Sequence, residues 1–193
     1  MIVEWKKEHS KVKIYVEGEL WRSVSPRLFG KNPDFDVQNL KELEELEYRQ
    51  TMLFAVRSLS AKAQHSTELR KKLRDLGASS SAIEQVLSEL QRLGYLDDDE
   101  WLDFYVRAQI SRNLGKYAIQ QKLRMKGIPL DQCEELLDRY LTSESQEEQI
   151  KSLLKTKYRH KDLSDPKQKQ QVIAALARRG FSWELVQSVL LQD

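Results

Sequence analysis

The sequence predicts an all-α protein of three tandem three-helix repeats in a curved array, preceded by a small N-terminal β-hairpin extension. Three observations carry that prediction. Gly77, Gly127 and Gly180 bring their flanking apolar residues into one gap-free register. Apolar stripes at helical spacing recur between these glycines. With 7 Gly and 4 Pro in 193 residues, turn formers are too few for an all-β chain. A period near 50 residues means stacked supersecondary units, whose function belongs to a long shared surface rather than to one pocket.

The register is read outward from each glycine. Eight residues before it stand Leu69, Ile119 and Val172, and four before it Leu73, Leu123 and Leu176. Six after it come Ile83, Cys133 and Val186; nine after, Val86, Leu136 and Val189; ten after, Leu87, Leu137 and Leu190. The glycines are 50 and 53 residues apart. A helix that ends in the left-handed conformation favours a residue without Cβ just past its cap, so each glycine is expected to close the second helix of its repeat.

The first segment follows a different period. Val12, Ile14 and Val16 alternate with Lys11, Lys13, Tyr15 and Glu17, the pattern of a half-buried strand. Glu17-Gly18 offers a turn, and Glu19 to Val24, with Trp21, is the return strand. Ser25-Pro26 reads as an N-cap followed by proline at the first helical position, with Gly30 ending a short helix. Lys31-Asn32-Pro33-Asp34 reads as a linker, and Asp36 as the cap of a helix carrying Val37, Leu40, Leu43 and Leu46. From about residue 47 onward the pattern is helical. Met52, Ala55, Val56 and Leu59 form one stripe at i, i+3, i+4, i+7; Trp101, Phe104, Tyr105 and Ala108 form a second; Ile150, Leu153, Leu154 and Lys157 form a third. Asp97 with Glu100 predicts a capping box, and Asp165-Pro166 a capped start with proline. A longer link over 159–164 accounts for the wider second spacing. The expected organisation is therefore an extension over 1–46 and repeats over 47–95, 97–141 and 144–192.

Composition narrows the function. Net charge is +2, so basic groups matter only where they are segregated. One cysteine allows no internal disulfide and favours a reducing, cytoplasmic setting. The N-terminus has no apolar signal region, and no apolar run approaches membrane-spanning length. No phosphate-binding glycine loop occurs, and His9, His65 and His160 have no metal-ligand spacing. Cys133 shares a core register with Ile83 and Val186, which favours a small buried hydrophobe over a nucleophile. Asp97-Asp98-Asp99-Glu100 fits a helix start rather than a cation loop. No catalytic residue, cofactor or metal is expected.

Charge is segregated in one place. From Phe104 to Lys126 there is no acidic residue, while Arg107, Arg112, Lys116, Lys122, Arg124 and Lys126 all occur there. With Ile119 and Leu123 turned inward, the second helix of repeat two presents Tyr117, Gln121 and Arg124. The equivalent stripe in repeat one is Thr67, Lys71 and Arg74, with Arg70 beside it; in repeat three it is the uncharged Gln170, Ala174 and Ala177. Cations in a helix's last turn also complement its dipole, which accounts for Arg74, Arg124 and Lys126 singly. As a set shared by two repeats, these side chains predict a binding surface, and the exposed Tyr117 ring could stack on a base or fill a partner's pocket.

At these residues the chain resembles the RecX family, bacterial regulators of the RecA recombinase. The likeness rests on Gly94-Tyr95-Leu96-Asp97-Asp98, Tyr105-Val106-Arg107, Gly115-Lys116 and Lys126-Gly127. Ser66-Thr67-Glu68-Leu69-Arg70-Lys71-Lys72-Leu73 and Arg178-Arg179-Gly180-Phe181-Ser182 resemble the family's first and third repeats. It runs from about Leu53 to the C-terminus. The resemblance implies three tandem three-helix repeats and a non-enzymatic regulator that binds the groove of the RecA–DNA filament, restraining recombinase, ATPase and coprotease activity. The partners it implies are the RecA nucleoprotein filament and, more weakly, single- or double-stranded DNA, with no membrane; a monomer is expected. Contact is expected through Arg70, Lys71, Arg74, Arg107, Arg112, Lys116, Tyr117, Lys122, Arg124 and Lys126, mainly in repeats one and two. The alternatives from other classes are a DNA-binding protein acting without RecA, since three-helix units can mimic helix-turn-helix modules, and a helical-repeat adaptor for another protein.

Overall fold

The structure, a computed structural model, describes residues 1–30, 33 and 35–192. The expected linker residues Lys31, Asn32 and Asp34 lie outside that set. The chain divides into two compact units, one over Met1–Trp101 and one from Leu102 onward.

The first unit opens with strands β1 (Val3–Glu8), β2 (Lys11–Val16) and β3 (Glu19–Val24), an antiparallel sheet in the order β1-β2-β3. The expected hairpin is β2–β3. Its turn has positive φ at Glu17 (51°) and Gly18 (84°), the combination whose twist matches two right-twisted strands. The sequence reading missed β1, which pairs Trp5 with Ile14 and Val3 with Val16. Its outer residues are mostly charged, so apolar alternation is weak there. Helix α1 (Pro26–Phe29) starts as expected, with Ser25 Oγ accepting from the Arg27 amide and Gly30 donating to the Pro26 carbonyl.

Helix α2 spans Leu40–Ala61 without a break. Its cap is Asn39, not the expected Asp36: Asn39 Oδ1 accepts from the Glu42 amide at 3.0 Å, and Glu42 reaches back to the Gln38 amide at 2.7 Å. That reciprocal box satisfies orphan donors that a lone aspartate three residues earlier could not reach. Helices α3 (Ser66–Asp75) and α4 (Ser80–Arg92) follow. Val12, Ile14 and Val24 from the sheet share one core with Leu69 and Leu73 of α3 and Val86 and Leu90 of α4. Each such fully buried aliphatic side chain is worth about 1.5–3 kcal/mol, so the sheet is integral to this unit.

Helix α5 (Asp98–Ile110) begins in the first unit and continues into the second. Its start is the expected one, with Asp97 Oδ1 accepting from the Glu100 amide at 2.8 Å. Its buried face is not. Leu102, Val106 and Gln109 are buried, while Phe104 is 73% exposed. Two overlapping stripes at helical spacing exist here, and packing selects the one whose branched aliphatics fit a close interior. Val56 of α2 is likewise exposed, with Leu43, Glu47, Thr51 and Ala55 on the buried face, and Lys157 is exposed.

The second unit continues with α6 (Lys116–Met125), a 3-10 turn (Leu130–Gln132), α7 (Glu134–Tyr140), α8 (Ser143–Thr156), α9 (Pro166–Arg178) and α10 (Trp183–Gln192). Ile150, Leu153, Val172, Leu176, Val186 and Val189 form a core among the last three helices. Asp165 caps α9 as expected, accepting from the Lys167 amide. The segment after Gly127 departs from its counterparts: a 3-10 turn capped by Pro129 precedes the short α7.

The three aligned glycines behave identically. All have positive φ, at 90° for Gly77, 77° for Gly127 and 87° for Gly180. Each donates to the carbonyl three residues back (Arg74, Arg124, Ala177), and the next amide donates to the carbonyl five back (Leu73, Leu123, Leu176). This is the Schellman closure, which satisfies two orphan carbonyls at each helix end.

Helix starts are closed from a distance. Asp98, at the head of α5, accepts from the Ser66 amide at 2.6 Å and the Ser66 hydroxyl at 2.5 Å, capping α3. Gln146, near the head of α8, accepts from the Lys116 amide at 3.2 Å and donates to the Leu141 carbonyl, capping α6. Buried Glu47 of α2 does the same for α4 through the Ser79 amide and hydroxyl.

Candidate anion-binding surfaces

Leu69 and Leu73 are fully buried, so the remaining faces of α3 turn Arg70, Lys71 and Arg74 to solvent. Arg70 is occupied: Nε and Nη2 donate to the two Glu84 oxygens at 2.9 and 2.7 Å. That fork lowers the Glu84 carboxyl below its ordinary pKa and raises the guanidinium's. Lys71 and Arg74 have no ion-pair or hydrogen-bond partner for their side chains among the described residues.

The second unit sorts its cations in the same way. Arg107 donates to Asp103 one turn earlier and lies 5.6 Å over the Tyr140 ring. The Tyr140 hydroxyl donates to Asp103 at 2.7 Å. Tyr140 first, and Arg107 second, hold the Asp103 carboxyl below the usual range. Lys116 is half-buried and paired with Asp138. Lys126 is half-buried, its ammonium 5.3 Å over the Tyr105 ring. Tyr117 is 61% exposed, and Arg112, Lys122 and Arg124 are exposed without side-chain partners among the described residues. Of the nine cations among the expected contact residues, Arg70, Arg107 and Lys116 therefore hold the fold's own carboxylates. Lys71, Arg74, Arg112, Lys122 and Arg124 remain available to an external anion.

Sequence reasoning missed a contribution from the last three helices. The stripe Gln170, Ala174 and Ala177 is uncharged, yet the ends of α8 and α9 bring Lys157, Arg178 and Arg179 beside Arg112 and Lys122. These five line an open cleft of ≈ 500 Å³, with Tyr158 in its wall. The signal was the adjacent pair Arg178-Arg179 before Gly180. That pair lies at the helix end, beyond the mid-helix stripe Gln170, Ala174 and Ala177.

Cys133 is fully buried, its Sγ 3.3 Å from the Leu130 carbonyl; burial first, then Asp131 and Glu134, push its thiol pKa up. A raised thiol at a closed position is a poor nucleophile. Among the described residues no group of His, Cys, Asp and Glu is arranged to hold a metal ion. No helix among them is long and apolar enough to cross a membrane.

Comparison with known proteins adds to this geometry. Residues 144–190 match the family model described as RecX, third three-helix domain. The chain is 31% identical to the Regulatory protein RecX of Pelodictyon phaeoclathratiforme over 144 residues, covering 72% of this chain and 86% of that one. It is 27% identical to the Regulatory protein RecX of Bacillus licheniformis over 195 residues, covering 96% and 73%. The crystal structure of RecX from Lactobacillus salivarius superposes with a TM-score of 0.63 at 23% identity, covering 75% of this chain and 95% of that one.

Proposed function

Because the chain belongs to the RecX family, we propose that it is a non-enzymatic regulator of the RecA recombinase that binds the RecA–DNA filament. Binding restrains strand exchange, ATP hydrolysis and coprotease activity, and takes place in the cytoplasm by a monomer. The observation that supports this reading is the sorting of cations. Helix α3 offers Lys71 and Arg74, and α6 offers Arg124 with Tyr117, all exposed on helices whose other faces are closed by fully buried leucine and isoleucine. An exposed ring among unpaired cations suits a partner that presents both phosphates and protein surface. Three repeats over 47–95, 97–141 and 144–192 belong to the same proposal; the family match over 144–190 favours the third.

The test is a titration of RecA from the same organism, assembled on single-stranded DNA, with the purified protein. ATP hydrolysis and strand exchange are expected to slow at amounts below one protein per RecA monomer. No effect at excess protein would leave the adaptor reading ahead.

A further inference from the structure

The sheet of the first unit has one covered edge and one open edge. Strand β3 is covered: the end of α3 lies against it at Ser23 and Val24, and the Ser25 amide just past it donates to the Leu76 carbonyl. Strand β1 pairs only with β2. Which of its backbone groups point outward follows from the ladder. The Glu17 amide donates to the Ile2 carbonyl at 3.0 Å, in the same register that sets Val3 opposite Val16 and Glu8 opposite Lys11. Hydrogen-bonded pairs alternate along an antiparallel ladder, so Glu4, Lys6 and Glu8 bond to β2. Val3, Trp5 and Lys7 therefore turn their N–H and C=O groups to the open edge, where no described residue meets them. The side chains of Glu4, Lys6 and Glu8 share one face of the sheet. Glu8 is paired with Lys13 at 2.5 Å, and the Lys6 ammonium lies 5.5 Å from the Tyr15 ring centroid. Among the described residues Glu4 has no ion-pair partner, and Lys6 has no carboxylate.

We propose that this edge pairs antiparallel with the same edge of a second copy of the chain, joining the two three-stranded sheets into one. Outward groups must meet outward groups, so few registers are open. Setting Trp5 opposite the second copy's Trp5 puts Val3 opposite Lys7 and Glu4 opposite Lys6, each twice by the twofold symmetry. Val3, Trp5 and Lys7 then exchange backbone hydrogen bonds with their opposites. Glu4 and Lys6 fall in the non-hydrogen-bonded pairs, where Cα atoms are about 4.5 Å apart and side chains come closest. Each charge that the fold leaves without an opposite charge meets one there. The neighbouring registers are disfavoured. One sets Glu4 opposite Glu4; the other sets Lys6 opposite Lys6 and Glu4 opposite Glu8. Like charges directly opposite are destabilising. Charge on an edge strand ordinarily serves to repel another strand, but here the register centred on Trp5 sets unlike charges face to face. The proposal goes beyond the filament reading, which concerns a monomer. A single strand pair is smaller than the roughly 1,600 Å² of a standard interface, so the dimer belongs to concentrated free protein and dilution returns the monomer.

The experiment is sedimentation velocity of the full chain from roughly 5 to 500 µM at low salt, a range in which a weak dimer forms. The wild type is expected to shift from monomer toward dimer. Lys6→Glu sets Glu4 against a second carboxylate and should weaken association about tenfold, as should Glu4→Lys, which sets two ammonium groups together. Mixing the two single variants should restore association, because one copy then carries only acids at these positions and the other only bases. Glu4→Lys with Lys6→Glu in one chain should restore it too. Lys7→Pro removes an amide that points to the open edge while leaving the β1–β2 bonds intact; it should abolish the dimer, whereas Lys7→Ala should keep it. Circular dichroism checks that each variant is folded. A wild type that stays monomeric throughout the range would overturn the proposal. So would association unchanged in both single charge variants or in Lys7→Pro, which would place the contact on another surface. Two folded single variants that fail to associate when mixed would overturn it as well. The RecA titration uses dilute protein, below the range of the dimer, so its failure bears on the filament reading alone.

Discussion

In the first unit, Gly77 faces strand β3, where an added Cβ would strike the Ser23 carbonyl oxygen and the Val24 Cα. In the second unit, Gly180 faces the start of α6, where it would strike the Ala118 backbone. Both glycines end a helix with positive φ, and both admit a neighbouring backbone to the helix end. In the first, the Ser25 amide donates to the Leu76 carbonyl at 2.7 Å; in the second, the Gly115 and Tyr117 amides donate to the Arg179 and Gly180 carbonyls at 2.8 and 3.1 Å. The neighbour is a strand in one case and a helix start in the other. What matters is an amide to answer the carbonyls that a helix end leaves exposed, and a residue small enough to let it approach. The helix starts show the same economy with different chemistry. Asp98 closes α3 with a carboxylate, whereas Gln146 closes α6 with an amide.

The largest effect should come from the close approaches. Gly77→Ala and Gly180→Ala each combine a strained positive φ, worth about 1 kcal/mol, with a backbone collision of about 1–3 kcal/mol. Gly94, with φ 73° and open space around its Cα, isolates the first term. Urea unfolding should show Gly94→Ala losing about 1 kcal/mol and the other two at least twice that. Equal losses at all three would mean that the approaches add nothing beyond the helix closure.

A smaller difference is expected between the two distant caps. Asp98→Ala removes charge-assisted bonds to Ser66 and should cost about 2 kcal/mol; Gln146→Ala removes neutral ones and should cost about 1 kcal/mol. If urea midpoints reverse that order, the carboxylate is not what distinguishes the two starts.

The smallest effect concerns pH in the second unit. Asp103's folded pKa lies below its unfolded value of about 3.9, so its contribution is present above that value and is lost as pH falls through the folded pKa. Tyr140→Phe removes the main cause of the shift. Urea midpoints of wild type and Tyr140→Phe should therefore differ at pH 7 and draw together in acid below pH 4. A gap that stays constant to pH 3 would show that the Tyr140 hydroxyl acts independently of the carboxylate.

Much of this was written locally. The glycine register fixed three helix ends, because positive φ and the Schellman bonds depend only on residues within one turn. Ser25-Pro26, Asp97 and Asp165-Pro166 marked starts for the same reason. Asn39 with Glu42 is an equally local box, and its reciprocal bonds, not Asp36, start α2. By contrast, β1 could not be read, because its apolar residues gain their partners only from β2. Neither could the face of α5 that is buried, since Trp101/Phe104/Tyr105/Ala108 and Leu102/Val106/Gln109 are both helical stripes and only neighbouring helices choose between them.

For the candidate site the division is the same. Sequence alone determined that basic residues are concentrated on the faces of α3 and α6 left outward by buried Leu69, Leu73, Ile119 and Leu123, because helical geometry sets those directions. Tertiary structure alone decided which of those charges are available. Arg70 meets Glu84 14 residues away and Lys116 meets Asp138 22 residues away, pairings that no local pattern encodes. It alone brought Lys157, Arg178 and Arg179 beside Arg112 and Lys122. The physical reason is range: dihedral preference and periodicity act over a few residues, whereas charge pairing and close packing depend on which surfaces the folded chain brings together.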